Sequence, residues 1–178
     1  MPASIRNTAA ASAIVAVAML FAHDVRAQTP PKVVDAARLA PLLPPAWGGL
    51  QRGKVDFDNK PTITGGPHAN AEAVYSKGST AAFEAIMHIT DGGEISANYY
   101  KMGANWLRED TRDETQHSLV LADGRRAQFT SMGKDILQIE TFVADRFVVR
   151  ANCSHSSEAE CKAALEKFDF KAIGKLKE

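Results

Sequence analysis

Short segments in which apolar and polar residues alternate recur along this chain, and they favour a β-sheet that buries one face. The clearest segment is residues 80–90, where Phe83, Ala85, Met87 and Ile89 alternate with Glu84, Ile86, His88 and Thr90. A period of two sends one set of side chains toward a core and the other toward solvent. Further strand candidates are residues 71–76, 118–122, 125–130, 136–143 and 146–152.

Dipeptides that suit tight turns separate the later strand candidates. Asp123-Gly124 lies between residues 118–122 and 125–130 and predicts a type I′ hairpin turn, in which both central residues have positive φ. Ala144-Asp145 separates the next two candidates. Because such short turns join antiparallel neighbours, the last third of the chain is predicted to be a meander of short strands.

Two stretches have the spacing of a helix instead. Apolar side chains spaced i, i+4, i+7 and i+11 lie on one helix face, as at Ile95, Tyr99, Met102 and Trp106. A final helix is predicted to begin at Ser157, because Ser-x-x-Glu ending at Glu160 can form a capping box. The order of elements predicts an α+β fold, in which an antiparallel sheet of about six strands has helices packed on one face.

The first 27 residues predict an export signal. Arg6 supplies positive charge, residues 9–22 are uncharged and apolar, and Val25-Arg26-Ala27 has the small-x-small pattern that signal peptidase cleaves. The apolar run of 14 residues is shorter than the roughly 20 that a membrane-spanning helix needs. We therefore expect a mature protein that begins at Gln28, has no membrane span and is periplasmic or secreted.

Removal of that signal leaves 151 residues, enough for one domain with its own core. Residues 28–46 form a Pro-rich N-terminal segment, in which Pro41 breaks a weak helical pattern. Residues 47–178 are predicted to form the single α+β domain. The signal contains two arginines and one aspartate of a formally neutral chain, so the remainder has a net charge of −1. This near-neutral charge gives no reason to expect a nucleic acid partner.

The two cysteines, Cys153 and Cys161, are predicted to form a structural disulfide. Cys153 continues the inward face of its strand and Cys161 lies on the inward stripe of the last helix, so both sulfurs point into one interface. An even cysteine count in an exported chain favours a bond over free thiols. A zinc site of Cys153, His155 and Cys161 is the alternative, although a structural zinc takes four ligands and no fourth lies nearby in sequence.

His88 is the candidate for chemistry on the polar face of its strand. Glu84 lies on the same strand and Asp91 just past its end, and a histidine beside carboxylates can act as a general base for a positioned nucleophile. No nucleophile elbow, His-Glu-x-x-His pair or phosphate-binding Gly-rich loop accompanies it, so a solvated polar face is the competing interpretation. A second group is either a stacking platform or a buried helix stripe: Tyr99, Tyr100, Met102 and Trp106.

A resemblance rests on framework residues spread over most of the predicted mature chain. They are Gly49-Leu50-Gln51-Arg52, residues 71–75, Ile89-Thr90-Asp91 with the following Gly pair, Asp145-Arg146-Phe147-Val148-Val149 and Phe168-Asp169-Phe170. On these residues the chain resembles a group of small, uncharacterised, exported bacterial proteins with an overall shape similar to the Mog1/PsbP-like proteins. The resemblance implies one exported α+β domain, and it carries over no catalytic, cofactor-binding or metal-binding residue.

Taken together, these patterns predict an exported, non-enzymatic domain that binds an envelope protein or a small ligand and uses no cofactor. The basis is a well-formed fold pattern without a recognisable catalytic motif. The alternatives are a small hydrolase that uses His88 with a nearby carboxylate, and a secreted inhibitor of another protein.

Overall fold

Strands are the main regular secondary structure of the described chain. The computed structural model describes residues 32–60, 67–77, 84–93 and 115–176. The strands are β1 (Ala46–Trp47), β2 (Leu50–Asp58), β3 (Ala69–Ser76), β4 (Ala85–Asp91), β5 (Gln116–Val120), β6 (Arg126–Ser131), β7 (Ile136–Val143) and β8 (Phe147–Ser154). Two 3₁₀ turns, Ala36–Arg38 and Ala40–Leu42, precede them, and two helices, α1 (Glu158–Leu165) and α2 (Phe170–Lys175), follow them. None of the helices in these ranges is long and apolar enough to cross a membrane.

All eight strands belong to one antiparallel sheet, in the order β1-β2-β3-β4-β8-β7-β6-β5. Strands β1 to β4 form one meander and β5 to β8 form a second, and the two meanders join in the middle of the sheet where β4 pairs with β8. The predicted antiparallel sheet accompanied by helices is therefore confirmed, with eight strands and a few short helices in the described ranges instead of about six strands. The predicted helix through Ile95 and Trp106 lies outside the described residues.

The two additional strands come from a stretch that is rich in glycine and turn residues. In β2 the pairing register with β3 shifts between Arg52 and Val55, a β-bulge around Gly53. A bulge interrupts the alternation of buried and exposed side chains. Leu50 is the one fully buried residue of β2, because most of this strand lies at the edge of the sheet. Its alternation of apolar and charged residues is therefore confined to residues 54–58, after the bulge.

One face of the central strands forms the core. The odd-numbered residues are buried in each of the three strands: Ala69, Ala71, Ala73 and Tyr75 of β3, Ala85, Met87 and Ile89 of β4, and Phe147, Val149, Ala151 and Cys153 of β8. Helix α1 packs Cys161 and Leu165 against this face, and α2 adds Ile173. The alternation predicted for residues 80–90 is thus confirmed in the part of that segment that the structure describes.

The core begins before Trp47. Val34, Ala36, Leu39 and Leu43 are buried and belong to the same hydrophobic cluster as the sheet. Pro41 fits here because the chain forms two short 3₁₀ turns instead of a continuous α-helix. The packed unit therefore includes much of the Pro-rich segment that composition separates from the domain.

The side chains of Tyr75 and Asp91 are among the polar groups that hold this N-terminal segment on the sheet. The Tyr75 hydroxyl donates a hydrogen bond to the Pro44 carbonyl, and burial raises the pKa of Tyr75 well above its usual value. Asp91, fully buried at the end of β4, accepts hydrogen bonds from Val34 N at 2.7 Å and from Arg146 Nε and Nη2 at 2.9 and 2.7 Å. Arg146 Nη2 also donates to the Lys32 carbonyl at 2.7 Å. This Asp91–Arg146 clasp joins residues that are far apart in sequence.

The two hairpin turns differ from each other. Ala144 and Asp145 both have positive φ, 56° and 54°, and Arg146 N donates to Val143 O at 3.2 Å, as in a type I′ turn. Of Asp123 and Gly124, only the glycine has positive φ, at 82°, so the type I′ prediction for this dipeptide is wrong. The hairpin instead closes one residue wider, with Leu121 N bonded to Arg125 O, which leaves a type I turn followed by a left-handed glycine.

Candidate functional site

The disulfide is confirmed. Cys153 and Cys161 are bonded, with Cα atoms 5.7 Å apart, and both residues are fully buried between β8 and α1. Helix α1 begins with the predicted capping box, in which Ser157 Oγ accepts from Glu160 N and the Glu160 carboxylate accepts from Ser157 N. This cap fixes the first turn of α1 and with it the position of Cys161. The zinc alternative is wrong, because the two sulfurs are joined to each other and His155 is exposed.

The opposite face of the sheet carries a line of polar side chains that crosses five strands. Strand register places Glu72 beside His88, His88 beside Arg150, Arg150 beside Glu140, and Glu140 beside Gln128. We refer to these five residues as the polar row. Because directly opposed residues point to the same face of a sheet, the row is fixed by the pairing of β3, β4, β8, β7 and β6.

His88 lies between Glu72 and Arg150 in the row, and both of its ring nitrogens have a protein partner. Nδ1 is 3.2 Å from Glu72 Oε2 and Nε2 is 3.3 Å from Asn152 Nδ2. A carboxylate can only accept, so Nδ1 carries the proton and Nε2 accepts from the Asn152 amide. The side chain is 19% exposed, and burial, together with the Arg150 charge, lowers the pKa of His88 to about 4. The imidazole is therefore neutral at neutral pH.

Arg150 and Glu140 form the charged pair of the row. Arg150 Nε and Nη2 both donate to Glu140 Oε2, at 2.9 and 2.8 Å. The Glu140 side chain is 15% exposed, so its charge depends on this partner. Arg150 is more accessible and lies between Glu140 and the neutral His88. The fixed guanidinium explains part of the low pKa of the histidine, because a second positive charge beside it is unfavourable.

Asn152 supplies the one polar atom near the row that is unsatisfied. Its Nδ2 is used by His88, whereas its Oδ1 is buried and has no hydrogen-bond partner among the described residues. An unsatisfied buried acceptor costs roughly 1–3 kcal/mol, so a donor that reached this oxygen would recover free energy. Around His88 there are therefore two acceptor groups on different strands: the buried Asn152 Oδ1 on β8 and the partly exposed Glu72 carboxylate on β3.

The structure brings only one of the sequence-predicted chemical residues to this row. Asp91 lies on the core face, in the clasp with Arg146, and Glu84 is paired with Lys77 at 3.5 Å. Neither is a partner of His88, whose carboxylate is Glu72 of the neighbouring strand. The aromatic group from Tyr99 to Trp106 lies outside the described residues. The sequence offers no direct indication of Glu72, Asn152 and Arg150, because their approach to His88 depends on strand register.

His117 forms a separate contact at the far edge of the sheet. Its ring stacks on Phe129 at 4.5 Å between centroids, and Nε2 is 3.1 Å from Glu158 Oε2 at the start of α1. Through these two contacts His117 links β5 to β6 and to the start of α1. It is a structural contact and adds nothing to the polar row.

The chemistry available to the polar row is hydrogen bonding. A general base works best with a pKa near the working pH, and His88 has a pKa of about 4 and an Nε2 lone pair already used by Asn152. Within the described ranges, no three His, Cys, Asp or Glu residues are grouped as metal ligands. Comparison of the chain with protein-family models, curated proteins and solved structures gives no match.

Proposed function

We propose that this protein is an exported, non-enzymatic domain that binds a component of the cell envelope through the polar row. The observation that carries the proposal is the fixed hydrogen-bonded arrangement around His88, in which Nδ1 contacts the partly exposed Glu72 carboxylate on one side and Nε2 contacts Asn152, whose Oδ1 has no partner among the described residues, on the other. The partner that fits this chemistry presents N–H or O–H donors, because both groups are acceptors. Arg150, on the strand next to that of His88, adds a partly exposed donor.

Export is supported by two independent features. The first 27 residues have the pattern of a signal peptide, and the Cys153–Cys161 disulfide is of the kind that persists in oxidising compartments. Cell fractionation should find a form that begins at Gln28 outside the cytoplasm, with no thiol that can be alkylated before reduction. A cytoplasmic protein that retains Met1 and has two reactive thiols would contradict export.

Binding is tested with matched carboxylate variants. Immobilised wild-type protein, Glu72→Gln and Asp135→Asn are incubated with envelope extract, and bound components are quantified by mass spectrometry. Glu72→Gln keeps an acceptor for His88 but removes the charge, whereas Asp135 is an exposed carboxylate between β6 and β7. Loss of one charge-assisted hydrogen bond lowers affinity by roughly tenfold or more. We therefore expect a partner that wild type and Asp135→Asn retain equally and Glu72→Gln loses.

Equal retention by all three proteins would contradict binding through the polar row. A bound component that is itself an enzyme, and that loses activity in the complex, would identify the secreted-inhibitor alternative. Thermal unfolding of the three proteins controls for differences in folding.

The hydrolase alternative has one contact in its favour. Glu72 holds Nδ1 of His88 at 3.2 Å, the arrangement by which a carboxylate orients a catalytic histidine. The low pKa of the ring and the use of Nε2 by Asn152 weigh against it. Turnover of a small ester or amide that His88→Ala abolishes while the fold is retained would establish the hydrolase and overturn the binding proposal.

A further inference from the structure

The charged side chains of β2 are arranged so that two antiparallel copies of this strand would place opposite charges next to each other. We propose that two copies of this chain associate by antiparallel pairing of their β2 edges about a two-fold axis at Val55. The pairing would join the two sheets into one continuous sheet across the dimer. This inference concerns the sheet edge and is independent of the polar row.

The backbone of β2 is available for such pairing. Strand β1 pairs with β2 only at Leu50 and Gln51, and Arg52 N bonds to the Pro45 carbonyl. Beyond Arg52, no strand in the described part of the chain pairs with the outer side of β2, while its inner side pairs with β3 as far as Asp58. An edge of this kind presents unpaired N–H and C=O groups that a second strand can satisfy.

The side chains of β2 favour a second copy over an unrelated strand. Lys54 and Asp56 are one residue before and one residue after Val55; within one chain they contact each other at 2.7 Å, and their side chains are 84% and 62% exposed. Antiparallel pairing centred on Val55 places each Lys54 opposite Asp56 of the second copy, which gives two opposite-charge pairs for one interface. Opposite charges directly across an antiparallel pair are stabilising.

In the same register, the exposed ring of Phe57 contacts the second copy. Phe57 is 52% exposed, and pairing about Val55 places it opposite Gly53 of the second copy. Glycine has no side chain to obstruct the ring, so Phe57 can cover that position and contact the second copy's backbone, as aromatic residues do opposite glycines in sheets.

Edge lysines usually oppose pairing, because they bring a charge into the approaching ladder. In β2 the lysine is followed two residues later by an aspartate, so the two-fold arrangement brings opposite charges together. A two-strand contact is smaller than the roughly 1,200 Å² of a standard interface. The dimer should therefore be reversible and visible only as protein concentration increases.

The experiment uses two single charge reversals and their mixture. Sedimentation equilibrium of the exported protein at low ionic strength should give a mass that rises from monomer to dimer with concentration. Lys54→Asp places aspartates opposite each other and Asp56→Lys does the same with lysines. Each variant alone should therefore associate at least about tenfold more weakly, since like charges across a strand pair repel. An equimolar mixture restores both opposite-charge pairs and should dimerise like wild type.

Three results would overturn the proposal: a wild-type protein that stays monomeric at all concentrations, single variants that associate as wild type does, or a mixture that associates no better than its components. Both side chains are exposed, so neither reversal should impair folding, and circular dichroism with thermal unfolding checks this. Phe57→Ser gives a test that leaves the charges unchanged, and it too should weaken association. Unchanged association of Phe57→Ser would contradict the register centred on Val55.

Discussion

Burial of His88 favours the neutral ring, which makes folding sensitive to acid. The imidazole has an ordinary pKa of 6.5 in the unfolded chain and about 4 in the folded protein. Between these values, only the unfolded state binds the proton, so the free energy of unfolding falls as the pH is lowered. Below pH 4 this effect has lowered the free energy of unfolding by at most about 3 kcal/mol relative to neutral pH. Denaturant unfolding at about pH 7 and about pH 4.5 measures it.

The variant His88→Gln isolates this contribution. It removes the titrating group, so its free energy of unfolding should depend less steeply on pH over this range than that of wild type. His155→Asn is the matched control, because His155 is exposed and asparagine tolerates its positive φ of 52°. The control should keep the wild-type slope. A slope that His88→Gln leaves unchanged would mean that the folded state accepts the proton on His88.

His88 also shows how far a site can be predicted from one sequence. Alternation in 80–90 correctly places this residue on the face opposite Met87 and Ile89. The carboxylates near it in sequence, Glu84 and Asp91, are not its partners, because the contacts of a sheet run across strands. Glu72 and Asn152 reach it only through the register of β3 and β8, and register is set by the packing of the whole sheet.

At the level of elements, the turn at Ala144-Asp145 is strained, because both residues have positive φ and neither is glycine. A non-glycine residue with positive φ costs roughly 1 kcal/mol, and glycine relieves this cost while making the unfolded chain more flexible. Asp145 is exposed, so Asp145→Gly loses no packing. We expect it to raise the free energy of unfolding by about 0.5 kcal/mol, measured with denaturant. Ala122→Gly, at an exposed turn residue without positive φ, should be neutral or slightly destabilising; stabilisation of both variants alike would contradict the strain argument.

The strands differ in how clearly the sequence identifies them. Strand β7 has the predicted bounds, Ile136–Val143, and β8 differs only at its ends, because both are central strands with one fully buried face. Strand β2 is not identified, since it is an edge strand with a bulge and little burial. Periodicity arises from one-sided burial, so strands without it resemble loops in sequence.

The disulfide is predictable for the same reason. Cys153 shares strand parity with the buried Val149 and Ala151, and the Ser157 capping box sets the phase of α1. Both signals are local, and together they determine which way each sulfur points. The packing of α1 across β8 is the part that these local signals do not predict.

At the scale of the whole molecule, the N-terminal segment illustrates where composition fails. Prolines and a weak helical pattern suggest a linker, yet Val34, Leu39 and Leu43 are part of the core. Nothing local indicates this packing, because the segment is fixed by distant groups. Its anchors are Tyr75 on β3 and the Asp91–Arg146 clasp between β4 and the turn before β8.

The clasp should therefore dominate the attachment of this segment. Asp91→Asn removes the negative charge that Arg146, which is 17% exposed, contacts at 2.7 Å. Breaking a buried pair in this way destabilises proteins by roughly 3–5 kcal/mol. We expect a loss of this size in denaturant unfolding at neutral pH, together with faster hydrogen exchange at Val34 N, which donates to Asp91. Asp58→Asn is the control, because the Asp58 carboxylate contacts the exposed Lys60 at 3.9 Å and accepts from Lys60 N at 3.4 Å, so its substitution should change stability by less than about 0.5 kcal/mol. A loss in Asp91→Asn no larger than in this control would show that the segment does not depend on the clasp.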